Sequence, residues 1–311
     1  VVGTGPAGLS VGIEASKKGL NCLLVDKGSL VNTIRRYPIY AVFFSTSELL
    51  ELGGIPFATI SKQPTRHEAL KYYTKITEYF KLKYSLYNRV DSIIKQADFF
   101  ELNTEKGVFK AKNVVIATGY YDKYNKLNVS GEELPHVKHF YDEAFYYTGQ
   151  KVVVIGGSNS AGEAALDLYR NGAKVTLVHR GAGLYSKMKY WVKPDLENRI
   201  SEGSIEGFFN ATVKKITSNS VLIHQNGEDK EITGSHVLSL IGYHPDVGFL
   251  QKVGVAFDSK TYVPHFDEST LESNIKGIYL AGTVQTGKKT SKIFIENSRH
   301  HGKTIIDAIL A

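Results

Sequence analysis

Cysteine is nearly absent: Cys22 is the only one in 311 residues. A single thiol cannot form an internal disulfide, so a disulfide-stapled scaffold is excluded and a reducing cytoplasm is the expected compartment. Long apolar runs are missing too. No stretch approaches the roughly 18–20 residues that a membrane-spanning helix needs, and no leader-like segment is visible. Charge is not segregated. The balance is +7, but the cations are scattered among acids and adjoin one another at most in pairs, as in Gly287-Lys288-Lys289. With no nucleic-acid motif beside it, that pattern points to a solvated basic surface, and to an anionic cofactor or substrate rather than a nucleic acid. Metal-ligand spacing is also lacking. His300-His301 and the pair His136/His139 have no Cys or carboxylate partners at zinc spacing, so no metal site is expected.

What is present is glycine placed in turns. "VVGTGPAGLS" opens the chain, and Gly3-Thr4-Gly5-Pro6-Ala7-Gly8 fits G-x-G-x-x-G. Val1-Val2 reads as the end of a buried strand whose earlier residues precede this chain. A helix is expected next, with Leu9, Ile13 and Ala15-Ser16 as its small apolar face, then a strand over "NCLLV". Gly3 permits the tight turn, Gly5 lets the backbone approach a pyrophosphate, and Gly8 lets helix and strand pack closely. Asp26 lies at the end of that strand, near the position from which an acid accepts ribose hydroxyls. Strand, turn, helix, strand and acid in this order make a dinucleotide site the expected reading. Cys22, inside the strand, is expected to be a packed core residue.

A second version follows at "KVVVIGGSNSAGEAALDLYRNGAKVTLVHR". Lys151–Ile155 reads as a strand, Gly156-Gly157-Ser158-Asn159-Ser160-Ala161 as the turn, and a helix runs to Arg170, ended by Gly172. Ser158 stands where the middle glycine would be, and its hydroxyl can donate to a phosphate. The next strand ends in His179-Arg180 rather than an acid. An acid repels a 2′-phosphate, whereas an Arg engages one through charge-assisted bonds, so this site is expected to prefer NADPH to NADH.

Two more strand-to-glycine junctions frame the second turn. "NVVIATGYY" runs into Ala117-Thr118-Gly119, and "GIYLAGTVQTG" ends its strand at Ala281-Gly282, before a helix expected over "SKIFIENSRHHGKTIIDAIL". The expected fold is α/β: two Rossmann-like dinucleotide-binding domains, an FAD domain of 1–120 and 241–311 with an inserted NADPH domain of 121–240. Two sites let one chain hold a hydride donor and a flavin, and the protein's part is orientation and exclusion of water.

These features resemble the low-molecular-weight thioredoxin reductase class and, more narrowly, the bacillithiol-disulfide reductase family. The resemblance spans essentially the whole chain. It is carried by "GTGPAGLS", "YPIYAVFFSTSELLELGGIPF", "IATGYY", "VIGGSNSA", "IGYHPD" and "FIENSRHHG", of which the second and fifth are the more specific. It implies FAD binding by Gly3, Gly5, Pro6, Ala7, Gly8, Asp26, Lys27, Val90, Thr118, Gly119, Gly282 and Thr283. Phe44 and Ser45 would lie near the isoalloxazine. NADPH would be bound by Gly157, Ser158, Asn159, Ser160, His179 and Arg180. Two departures stand out. This chain has no Cys-x-x-Cys, and Ala7 occupies the position of the family's cysteine, so no catalytic residue is assigned. Thr283 stands where the wider class usually has an Asp.

The resemblance implies an NADPH-dependent FAD oxidoreductase that passes hydride from nicotinamide to flavin and electrons onward to a small disulfide or a redox protein. A homo-oligomer is also expected. Three alternatives stay open: a ferredoxin–NADP reductase-like enzyme, a flavin monooxygenase and a flavin-binding redox sensor. "VSGEELPH" approaches a monooxygenase signature but is read as a linker strand. Tyr120-Tyr121, Trp191 and the segment 186–199 are candidates for an acceptor path or an oligomer contact.

Overall fold

A computed structural model describes residues 1–289 and 291–311, and the chain divides into two compact units. The first joins Val1–Lys123 to Tyr243–Ala311, and the second is the intervening Tyr124–Gly242. Both are α/β and follow one plan.

In the first unit, Leu23–Val25 pairs in parallel with Lys83–Ser85, and Val114–Ile116 pairs in parallel with Ile278–Leu280. Val2 bridges the two pairs through Val25 and Ile116. Counted along the chain, the order is third, second, first, fourth, fifth, as in a doubly wound nucleotide fold. An antiparallel meander, Val90–Lys95, Phe100–Thr104 and Gly107–Ala111, completes the unit. In the second unit the parallel order is Glu206–Phe208, Lys174–Val178, Lys151–Ile155, His236–Ser239, Val137–Lys138. Its meander turns at Asn226-Gly227, both with positive φ (53° and 87°), the backbone that a two-residue hairpin requires.

The first helix, Pro6–Lys17, begins with Pro at a position where a missing N–H costs nothing. It is buried on two sides. Leu9 and Ile13 enter one apolar cluster with Leu24, Ile34, Tyr73 and Ile76, while Val11 and Ala15 enter another with Val115, Ile305 and Ile306. Ser16, expected on the apolar face, is exposed and donates to the Phe80 carbonyl. The helix is sandwiched rather than one-sided, which explains its small residues. The strand expected over 21–25 is shorter, Leu23–Val25, and Cys22 is partly buried against the second cluster.

Two further expectations change. Residues 129–136 do not form a strand. Glu132 is buried there and accepts the backbone N–H groups of Leu127 (2.7 Å) and Asn128 (2.9 Å), which curls the segment into turns; the strand is Val137–Lys138. The expected C-terminal helix is broken into Ile295–Ser298 and His301–Leu310. The cause is Ser10 of the first helix. Its hydroxyl donates to the Arg299 carbonyl (2.6 Å) and accepts the Gly302 N–H (3.1 Å), replacing the helical partners at the junction. Gly302 is required, because a Cβ there would overlap the Ser10 backbone.

Candidate nucleotide sites

Three glycine turns of the first unit converge. A Cβ on Gly3 (φ +111°) would overlap the Ala117 carbonyl, and one on Gly8 would overlap the Gly3 carbonyl and stand 3.5 Å from the Ala117 Cβ. A Cβ on Gly282 (φ +77°) would stand 2.7 Å from that of Ala7, and one on Gly119 (φ +71°) would stand 3.5 Å from Thr283 Oγ1. The segments 3–8, 117–119 and 282–283 are therefore in mutual contact at the ends of their strands. Gly5 differs. Nothing lies within 4 Å of the place its Cβ would take, so the backbone there is open to a phosphate. The cradle that a flavin nucleotide needs is present.

Asp26 is braced within the chain. Its Oδ2 accepts both the backbone N–H (2.8 Å) and the hydroxyl (2.9 Å) of Thr4, and its Oδ1 accepts the Gly28 N–H (2.8 Å). A carboxylate offers about four acceptor positions, so one remains for a ribose hydroxyl. Thr4, fully buried, was not singled out in the sequence, although its place inside the motif opposite an acid was a readable signal. Lys27 is ion-paired with Asp122 (2.8 Å), which also takes Arg36 (2.9 Å). The Val90 side chain is buried in a core cluster, so only its backbone can face a nucleotide. Phe44 is exposed, while Ser45 donates to Glu296 (2.9 Å) and so ties its segment to the start of Ile295–Ser298.

Tyr121 belongs to an aromatic group. It lies 5.4 Å from the Tyr37 ring and 4.4 Å from the Tyr243 ring. Burial, reinforced by the neighbouring phenols, pushes the Tyr37 and Tyr121 hydroxyls well above their ordinary range, so both stay neutral. The rings pack against one another. Burial also raises the Cys22 thiol.

The second unit's turn is built differently. Gly156 (φ +144°) is closed by the Leu240 carbonyl, and a Cβ on Gly157 would stand 2.5 Å from the His179 ring. Burial, then Arg180, lowers the His179 pKa and keeps that ring neutral against the turn. Ser158 is exposed and caps Asn159–Arg170 without using its side chain, which leaves the hydroxyl for a ligand. Asn159 Oδ1 instead accepts the Lys189 N–H (2.8 Å), and Gly157 O accepts the Tyr185 N–H (2.8 Å), so residues 185–189 fold over the turn. Ser160 is exposed beside them. Arg180, at the end of Lys174–Val178, is exposed, and no hydrogen bond or ion pair among the described residues holds its guanidinium. A half-open cavity of about 570 Å³ lies at the other end of these strands, lined by Lys151, Lys174, Glu206 and Lys230 among others, and includes none of these site residues. No group of three His, Cys, Asp or Glu suited to a metal occurs among the described residues, and no helix there is long and apolar enough to cross a membrane.

Two nucleotide cradles on paired Rossmann-like units define a class of flavin- and pyridine-nucleotide-dependent oxidoreductase, and residues 1–282 match the family model "Pyridine nucleotide-disulphide oxidoreductase". Enzymes of this class use FAD and NADPH. Over 305 residues the chain is 40% identical to the bacilliredoxin reductase Bdr of Bacillus subtilis, covering 97% of this chain and 94% of that protein. The bacillithiol disulfide reductase Bdr (YpdA) of Staphylococcus aureus superposes with a TM-score of 0.97 at 38% identity, over 99% of this chain and 96% of that one. Its Bacillus cereus counterpart gives 0.96 at 39% identity, over 99% and 97%. The chain belongs to the bacillithiol-disulfide reductase family of pyridine nucleotide-disulphide oxidoreductases. The ferredoxin reductase, monooxygenase and sensor alternatives are not favoured.

Proposed function

We propose that this chain oxidises NADPH and delivers the electron pair to a small-molecule disulfide of the bacillithiol type. The observation that carries the reading is the contact of three glycine turns beside an open Gly5 backbone, in a chain that superposes on bacillithiol disulfide reductases over 99% of its length. FAD supplies the two-electron relay between NADPH and acceptor. The first unit, Val1–Lys123 with Tyr243–Ala311, is the FAD domain, and Tyr124–Gly242 is the NADPH domain. Gly3, Gly5, Pro6, Ala7 and Gly8 cradle the pyrophosphate at a helix start, Asp26 holds the ribose, and Lys27 and Val90 flank the adenosine. Thr118, Gly119, Gly282 and Thr283 close on the remainder, with Phe44 and Ser45 toward the ring. Gly157, Ser158, Asn159 and Ser160 present N–H and hydroxyl donors to NADPH, His179 backs the turn, and Arg180 engages the 2′-phosphate.

No protein thiol takes part. Cys22 is the single cysteine of the chain, burial raises its thiol pKa, and Ala7 stands at the position of the family's cysteine. The balance is NADPH + H⁺ + RSSR → NADP⁺ + 2 RSH, with no mixed disulfide on the chain. The single reduced thiol fits the cytoplasm. Five exposed apolar side chains in one segment, Ile39, Tyr40, Phe44, Leu49 and Ile60, fit a contact with a second copy, which light scattering tests.

Anaerobic titration tests the main reading. NADPH, and far less NADH, should bleach the flavin band near 450 nm, and oxidised bacillithiol should restore it faster than ferredoxin or O₂. A colourless protein that takes up no FAD overturns the reading. Reoxidation by ferredoxin alone overturns the acceptor.

A further inference from the structure

The break in the C-terminal helix places a histidine against one of the three contacting turns. Ser10 and Gly302 hold the start of His301–Leu310 against the first helix, and His301 is the first residue after the break. Its Nδ1 accepts the Gly282 N–H at 3.1 Å, and the Gln285 amide nitrogen lies 3.4 Å from the same atom. That amide is itself fixed, since Gln285 is buried and donates to the Leu280 carbonyl at 2.7 Å. A backbone N–H can only donate, so Nδ1 carries no proton and the tautomer is Nε2–H. A helix start is also an unfavourable place for an imidazolium.

We propose that His301 is a positioning residue of the flavin site, whose Nδ1 holds the Gly282 N–H and thereby sets Gly282-Thr283 against Ala7 and Gly119. The inference rests on the FAD assignment above. The geometry leaves little slack. Gly282 has positive φ and no room for a Cβ on the side of Ala7, while Thr283 Oγ1 faces Gly119. One hydrogen bond from the last helix thus orients the turn that lies between the other two. Removing the acceptor leaves a buried N–H unpartnered and frees the turn to rotate. The neutral state needed for this is the state the surroundings favour, because burial, then the adjacent His300, lowers the His301 pKa to about 4.

The test compares purified wild type with His301→Ala, His301→Asn and His301→Gln. Readouts are FAD affinity after deflavination, the visible flavin spectrum and the melting temperature. Asn keeps an acceptor at the place of Nδ1, whereas Gln moves it toward the place of Nε2. His301→Ala and His301→Gln should each weaken FAD about tenfold or more and alter the band near 450 nm. His301→Asn should stay within about threefold of wild type. If the Ala variant does not fold, the Asn and Gln pair decides. FAD affinity and spectrum unchanged in Ala or Gln, even with a lower melting temperature, overturn the positioning role alone. Wild type that takes up no FAD overturns the flavin reading, and this inference with it.

Discussion

The two glycine turns share a plan and differ in how much of the chain surrounds them. The turn at 3–8 touches the 117–119 and 282–283 segments, and its acid is braced by Thr4 and Gly28. The turn at 156–160 is backed by His179 and covered by residues 185–189, yet it leaves Ser158 and Arg180 exposed and uncommitted. A cradle assembled from distant parts of the chain suits a resident group that is bound once. A turn that keeps free donors exposed suits a ligand that enters and leaves at each turnover.

Glycine substitutions should break the contrast most sharply. Gly8→Ala forces a Cβ into the Gly3 backbone, which cannot yield, so the protein should be purified without yellow colour, having lost FAD affinity by about a hundredfold or more. Gly5→Ala meets no protein atom, so its melting temperature should match that of deflavinated wild type while flavin absorbance is lost; retained flavin would mean that no phosphate approaches there. Arg180→Ala comes next, raising the KM for NADPH about tenfold to a hundredfold while altering that for NADH by less than about threefold. Equal effects would show that the 2′-phosphate lies elsewhere.

The pH dependence is a smaller effect, to which His301 of the first unit and the half-buried His179 ring of the second both contribute. His301 has a folded-state pKa lowered to about 4 from 6.5, so the unfolded chain takes the proton first. Stability should be level above about pH 6.5, fall as pH drops toward 4, and flatten below it, by up to roughly 3 kcal/mol. Urea melts of wild type and His301→Asn across this range check it, since the Asn variant lacks the His301 part of the slope. Smallest of all is Cys22→Ala, expected to leave turnover with a disulfide unchanged and to cost about 1 kcal/mol. Iodoacetamide should label Cys22 slowly in the native protein and rapidly after unfolding, because burial raises the thiol pKa.

Much of this was legible because glycine and strand ends leave local signals. The turns at 3–8 and 156–161, the helix ending at Gly172 (φ +84°) and the cation at Arg180 follow from short windows of sequence. Contacts between distant residues were not. Ser10 reads as one more small helical residue, and nothing in its neighbourhood announces that its hydroxyl interrupts a helix some 290 positions later. His301 was seen as half of a His-His pair without metal partners and as part of the segment "FIENSRHHG", with no role assigned to it. Its use depends on Gly282, which a window around either residue does not contain. Thr4 falls between these cases, inside a recognised motif but with a role set by Asp26.

The bridge from Ser10 to Arg299 and Gly302 also bears on synthesis. A ribosome releases Ser10 about 290 residues before Gly302, so its hydroxyl has no junction to close until residues 299–302 have emerged. Nascent chains halted before Arg299 should carry an open pocket, and a stop placed ahead of Arg299 should cost the prosthetic group.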